Sequence, residues 1–89
     1  MRAIVTVTGK DKTGIIAGVS ACLHEYGVNI LDISQTVLQE YFAMIMLVDL
    51  AGCTASFSQL SDGLGDAAKN LHMDIRVMRE EIFDAMHRI

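Results

Sequence analysis

The residues best suited to hold a small ligand lie in a polar, glycine-bracketed segment, residues 9–14, which two isoleucines follow. If a helix begins there, the backbone N–H groups of Gly14, Ile15 and Ile16 have no partner within it and can bind a carboxylate or a phosphate. Gly14 also lets a ligand approach the backbone closely. The Asp11 carboxylate suits an ammonium group, so the segment offers partners for both charged ends of an amino acid. The alternative is an ordinary capped turn whose charged side chains are solvated.

Asn29 is a second candidate for ligand binding. It lies at the start of a predicted strand, directly after a predicted helix end. Its side-chain amide can both donate and accept a hydrogen bond. The alternative is a turn residue that binds its own backbone, as Asn commonly does.

No pattern in the sequence predicts catalysis. The histidines His24, His72 and His87 belong to three different segments, and neither Cys22 nor Cys53 lies at metal-ligand spacing from any of them. Catalysis needs a positioned nucleophile, base or metal ion. We therefore expect no catalytic residue, no metal site and no cofactor.

Hydrophobic periodicity predicts the elements that position these residues. Runs rich in β-branched and apolar residues predict strands, and apolar residues at three- and four-residue steps predict helices. The order is strand, helix, strand, strand, helix, strand and a short last helix, over residues 3–8, 15–26, 29–38, 42–50, 56–71, 73–78 and 80–89. This order predicts an α+β, ferredoxin-like βαββαβ fold, with both long helices on one face of a four-stranded antiparallel sheet.

Three signals mark the helix ends. Thr13 and Ser56 are the predicted N-caps, and Gly27 is predicted to end the first helix in the left-handed region. The third strand is apolar at every position from 42 to 48, so we expect both of its faces to be covered. The final helix or a partner subunit would supply the second cover.

Composition limits the class of protein. The 89 residues are enough for one domain, and an apolar fraction of 52 % predicts surplus apolar surface that a second copy would bury. Acidic residues outnumber basic ones by 11 to 7, which argues against binding to nucleic acid or to an anionic membrane. No signal peptide or membrane-spanning run is evident, and two free cysteines fit the reducing cytoplasm.

The binding segment also resembles a known family. Residues 9–17 resemble the first loop of ACT domains, which has an Asp, a basic residue, a variable residue that is often Pro (here Thr13), a Gly and an aliphatic pair. Residues 28–33 resemble the start of the ACT second strand, and Gln35 and residues 42–44 fit the same pattern. The resemblance covers a core of residues 3–79. Within the C-terminal helical extension 80–89, residues 82–89 are similar to the tail of small stand-alone ACT domain proteins, and more distantly to one half of the glycine cleavage repressor.

The resemblance implies a function and a site. ACT domains usually pair side by side through the second strand, and the ligand lies between the first loop of one subunit and the second-strand start of the other. Carried over to this chain, one wall would be Asp11, Gly14, Ile15 and Ile16, and the other Asn29 and Ile30.

Two hypotheses follow. The first is a homodimeric cytoplasmic sensor that binds an amino acid and acts on a separate protein partner, without being an enzyme. The second is a structural assembly module that binds no ligand.

Overall fold

A computed structural model of the protein describes residues 1–86 and contains the predicted elements in the predicted order. The strands and helices are β1 (Arg2–Lys10), α1 (Ile15–Glu25), β2 (Asn29–Leu38), β3 (Tyr41–Asp49), α2 (Phe57–Leu71), β4 (Asp74–Arg79) and α3 (Glu80–Met86). His87 and the predicted helix end at Ile89 lie outside the described residues. No helix within the described chain is long and apolar enough to cross a membrane.

The four strands form an antiparallel sheet in the order β2-β3-β1-β4. Lys10 pairs with Tyr41, which in turn pairs with Leu38, so the end of β1 and the β2–β3 turn lie at one end of the sheet. Asn29 pairs with Asp49 at the opposite end. The outer edges belong to β2 and β4. This fold confirms the predicted ferredoxin-like α+β architecture.

The core lies between the sheet and the two long helices. β3 alternates strictly, with Phe42, Met44, Met46 and Val48 buried on the helix side. Helix α1 contributes Ile15, Val19 and Leu23 to this layer, and α2 contributes Leu60 and Leu64. Burial of these side chains, worth about 1.5–3 kcal/mol each, holds both helices on the sheet.

The other face of the sheet is only partly covered. Helix α3 packs across it at one end, where Ile4 is 8 % exposed and Leu47 is half-buried. Farther along β3 the side chains of Tyr41, Ala43 and Ile45 are exposed. The expectation that β3 is covered on both faces is therefore confirmed at its C-terminal end. At its N-terminal end the described part of α3 leaves the second face open, and cover by a partner subunit stays a prediction.

The helix ends follow the sequence signals in two of three cases. The Ser56 side chain accepts from the Gln59 N–H at 3.1 Å and the Gln59 side chain accepts from the Ser56 N–H at 2.9 Å, a complete capping box. Gly27 follows α1 with φ 73°, as predicted.

The N-cap prediction for α1 is wrong. Gly14, and not Thr13, occupies that position, with φ 89° and no side-chain capping bond. The cause is that β1 pairs with β3 as far as Lys10, two residues beyond its predicted end. Only residues 11–14 remain to reverse the chain, and the left-handed conformation they require falls on glycine.

Candidate functional site

The first loop is fixed to the sheet through its backbone. The Asp11 N–H donates to the Glu40 carbonyl in the β2–β3 turn at 2.7 Å. The Asp11 side chain is exposed, and its carboxylate has no hydrogen bond or ion pair within residues 1–86. The loop therefore presents an unpaired acceptor from a backbone that is held in place.

The start of α1 presents unpaired donors beside this acceptor. The Gly14 carbonyl accepts from the Gly18 N–H at 2.9 Å and so opens the helical ladder. The N–H groups of the first turn have no such partner by geometry, and no side chain caps them. A Cβ built on Gly14 would meet nothing within 4 Å, so the backbone here is open to solvent and to a ligand.

These groups line one groove of about 330 Å³, at the lower end of the size range of ligand pockets. Four of the predicted site residues, Asp11, Gly14, Ile15 and Ile16, belong to it. The other residues that line it are Lys12, Ala17, Gln35, Val37 and Phe42. Gln35 and Phe42 carried a sequence signal through the family pattern. Lys12, Ala17 and Val37 were missed as site residues.

Asn29 and Ile30 lie away from this groove in the same chain. They begin β2, and the groove lies beside its other end, roughly 20–26 Å from Asn29 at about 3.3 Å per residue. Ile30 is half-buried on the helix side, opposite Val48, and Asn29 is exposed and pairs with Asp49. The Asn29 side chain makes no hydrogen bond to the described part of the chain, so it is not a self-bonded turn residue.

A second groove lies between α1 and α2, and its chemistry is different. Its acidic lining residues are Glu25, Asp62 and Asp66, and the Cys22 thiol lies in its continuation. Burial raises the pKa of that thiol, and the negative charges of Glu25 and Asp66 raise it further. Cys22 is therefore protonated at neutral pH and is a poor nucleophile. Within residues 1–86 no three His, Cys, Asp or Glu side chains are grouped closely enough to hold a metal ion.

A family model identifies the class of protein that has this fold and this loop before α1. Residues 2–78 match the family model described as ACT domain. The chain belongs to the ACT domain family, whose members are regulatory domains that bind small ligands.

Relatives of the same length show which members of the family the chain resembles. The chain is 53 % identical over 89 residues to a UPF0237 protein of Clostridium acetobutylicum, with all of both chains covered. An ACT domain protein from Streptococcus pneumoniae is 45 % identical and superposes with a TM-score of 0.82 over 98 % of both chains. These matches confirm the likeness to small ACT domain proteins.

A more distant likeness extends to the fold. The structure of a putative glycine cleavage system transcriptional repressor, 19 % identical, matches 86 % of this chain and 44 % of its own, with a TM-score of 0.75. At that identity the match shows a shared fold, in agreement with the distant resemblance drawn from the sequence.

Proposed function

We propose that this protein is a homodimeric sensor in which each groove binds one amino acid, and that binding alters its affinity for a separate partner protein. The observation that supports this proposal is the groove itself. An unpaired carboxylate, from Asp11, and uncapped helix N–H groups, after Gly14, line the same small depression. Neither group has a structural partner within the described residues.

The groove suits the shared part of all amino acids. The α-carboxylate would bind the N–H groups at the start of α1, where the helix dipole favours negative charge. The α-ammonium would bind the Asp11 carboxylate. Lys12 and Gln35 add polar groups at the rim, and Ile16 and Val37 offer exposed apolar surface to the ligand's side chain. We therefore expect small or apolar amino acids to bind best.

A second copy would complete each groove through the free edge of β2. This edge strand is ten residues long, and Leu31, Ile33 and Val37 are exposed along it. Its one charged residue is Asp32, and it lacks the Lys and Pro residues that commonly prevent strands from pairing. An edge of this kind favours pairing with a second β2.

Such pairing brings the two halves of the site together. Two antiparallel β2 strands related by a two-fold axis between Ile33 and Ser34 place Asn29 of one copy beside Leu38 of the other. Val37, the neighbour of Leu38, lines the groove. Asn29 and Ile30 would thus close the groove of the opposite copy, which is the role that the family resemblance implies.

The regulated activity would belong to another chain. The protonated Cys22 thiol is a poor nucleophile, so it is not a candidate for such an activity in this chain. The free thiols favour a reducing compartment, the cytoplasm. By linkage, a partner whose affinity changes when the amino acid binds must change the affinity for the amino acid by the same factor.

The assembly hypothesis also has an observation in its favour, which is the exposed apolar surface on the β2 edge and on the open face of the sheet. The two hypotheses differ in what Asp11 does. In an assembly module the Asp11 side chain has no role, because it makes no bond within the described chain.

A thermal-shift screen against the twenty amino acids tests the proposal, with light scattering to measure the mass. A ligand at one hundred times its dissociation constant should stabilise the protein by about 2.7 kcal/mol and raise its Tm. We expect a dimer and at least one amino acid that raises the Tm of the wild type and of Asp62→Ala but not of Asp11→Ala. Asp62 is an exposed acidic residue on α2, outside the groove. No response to any amino acid, or a response that persists in Asp11→Ala, would contradict the proposal and favour the assembly module.

A further inference from the structure

Half of the open sheet face is apolar, and nothing within residues 1–86 covers it. The side chains of β3 on this face are Tyr41, Ala43, Ile45 and Leu47, and α3 reaches the last of these. Tyr41 is 55 % exposed and Ile45 is 48 % exposed, and the neighbouring Leu38 on β2 is 70 % exposed. We call the uncovered part, around Tyr41, Ile45 and Leu38, the bare half, and the part under α3 the covered half.

Helix α3 has apolar residues on the side that faces away from its own sheet. Glu80 forms an ion pair with Arg2 of β1, and Glu80, Phe83 and Asp84 line a groove whose opposite wall is Ile4 and Leu47 of the covered half. At 100° per residue the opposite side of the helix carries Glu81, Ile82, Ala85 and Met86. Ile82 lines a shallow groove with Phe57 and Met78 of its own chain and is still 47 % exposed, and Met86 is 64 % exposed. A helix that packs against its own sheet and nothing else would carry polar residues on its outward side.

We propose that a second copy of this chain covers the bare half with its α3 and receives the first copy's α3 in return. A two-fold axis parallel to the sheet and perpendicular to its strands brings the covered half of each copy over the bare half of the other. Each α3 then lies between two sheets, its Phe83 side on its own and its Ile82 and Met86 side on the partner's. The interface is isologous, as in most protein dimers.

Charge supports the same arrangement. The described part of α3 carries no basic residue, and on the side that faces away from its own sheet it carries the acidic Glu81. The bare half carries Lys10 and Arg76, since the first pairs with Tyr41 and the second with Thr6 on this face. The acidic residue beside them is Asp74, which is bonded to Arg76 at 3.2 Å. The outward Glu81 of one copy would therefore meet Lys10 and Arg76 of the other, whereas stacking two bare halves on each other would oppose like charges.

The exposed apolar area of the bare half and α3 is large enough for an interface between two copies. Five large side chains near half exposure, on the bare half and on α3, leave on the order of 400 Å² of apolar surface per copy. A standard interface buries about 800 Å² per partner, of which roughly 65 % is apolar in homodimers. The arrangement leaves the β2 edge free, so it is independent of the pairing that the proposed function invokes, and both interfaces together would give a tetramer.

Molecular mass measured by light scattering tests the proposal with three variants. Ile45→Lys places a charge in the middle of the bare half, and Ser61→Lys places the same charge on exposed α2, on the other side of the molecule. We expect Ile45→Lys to halve the mass of the wild type and Ser61→Lys to leave it unchanged. Ile33→Lys, on the β2 edge, separates the two interfaces, because combined with Ile45→Lys it should give a monomer.

Circular dichroism confirms that each variant is folded. If Ile45→Lys does not fold, Glu81→Lys is used instead, because it brings a positive charge towards Lys10 and Arg76 of the other copy. It should also halve the mass, and Asp62→Lys on α2 is its matched control. A monomeric wild type, or a mass that neither Ile45→Lys nor Glu81→Lys lowers, would overturn the proposal.

Discussion

The two long helices of this protein begin in opposite ways. The first N–H groups of α2 are bonded by its own side chains, through the reciprocal Ser56 and Gln59 capping box. Helix α1 begins at a left-handed glycine, and no side chain caps it. Both helices lie on the same face of the same sheet and are anchored by buried apolar residues, so packing does not explain the difference.

The surroundings of each helix start do explain it. Beside the start of α2 the chain itself supplies partners for the N–H groups of Ser56 and Gln59. Beside the start of α1 lie the unpaired Asp11 carboxylate and a groove with exposed Ile16 and Val37. Unpaired backbone donors next to an unpaired acceptor have no structural use in the folded chain, and together they match the two charged groups of an amino acid. This difference supports the proposal that the start of α1 binds a ligand, whereas the start of α2 is stabilised by its own capping box.

The largest expected effect is on ligand affinity. Asp11→Asn keeps the side chain's size and removes its charge, and a hydrogen bond to a charged group contributes about 1.5–3 kcal/mol. We therefore expect calorimetric titration with the amino acid found in the screen to give a Kd about 10–100-fold weaker. The free energy of unfolding should change by less than about 0.5 kcal/mol. Asp62→Asn is the control, and an equal loss of affinity in both variants would remove the special role of the α1 start.

A smaller effect is expected on stability at Gly14. Gly14→Ala forces a side chain into the left-handed region at φ 89°, which should destabilise the protein by about 1–2 kcal/mol. Gly65→Ala is the matched change within α2, where the added Cβ would meet nothing within 4 Å. That change should stabilise the protein by up to about 1 kcal/mol. Urea unfolding of both variants measures the two changes in the free energy of unfolding. If both changes have the same sign, the left-handed conformation at Gly14 has no special cost.

The smallest expected effects are the losses of stability when the residues at the two helix starts are changed to Ala. Ser56→Ala breaks the capping box and should lower the free energy of unfolding by about 1 kcal/mol. Thr13→Ala, next to the α1 cap, should change it by less than about 0.5 kcal/mol, because the exposed Thr13 side chain makes no hydrogen bond to the described residues. Urea denaturation is again the measurement. A loss of 1 kcal/mol in Thr13→Ala would mean that α1 is capped by a side chain after all.

The features that the sequence could predict are local ones. Ser56 and Gly27 act within a few residues of their own helix, so composition and spacing were enough to locate them. The cap of α1 was misassigned because it depends on a distant pairing, that of Lys10 with Tyr41, which shortens the loop. The contribution of Val37 to the groove is non-local in the same way, since it needs the β2–β3 register.

The role of Asn29 and Ile30 in the predicted site is not tested by a single chain. Asn29 and Asp11 lie at opposite ends of the sheet, so a single chain cannot bring them together. Their joint role stays a prediction, which depends on the pairing of two β2 edges. The bare half of the sheet could not be predicted either, because nothing local in residues 80–89 specifies how far the last helix extends across the sheet.

The most direct test of this account mixes two defective variants. Asp11→Ala and Asn29→Ala should each lose amino-acid binding and stay folded, because each removes one wall of every site. Unfolded together, mixed in equal amounts and refolded, they form heterodimers with one intact site. About a quarter of all sites should then bind in a calorimetric titration, as random pairing of a two-fold dimer requires. A mixture that binds no better than either variant alone would contradict a site shared between two copies.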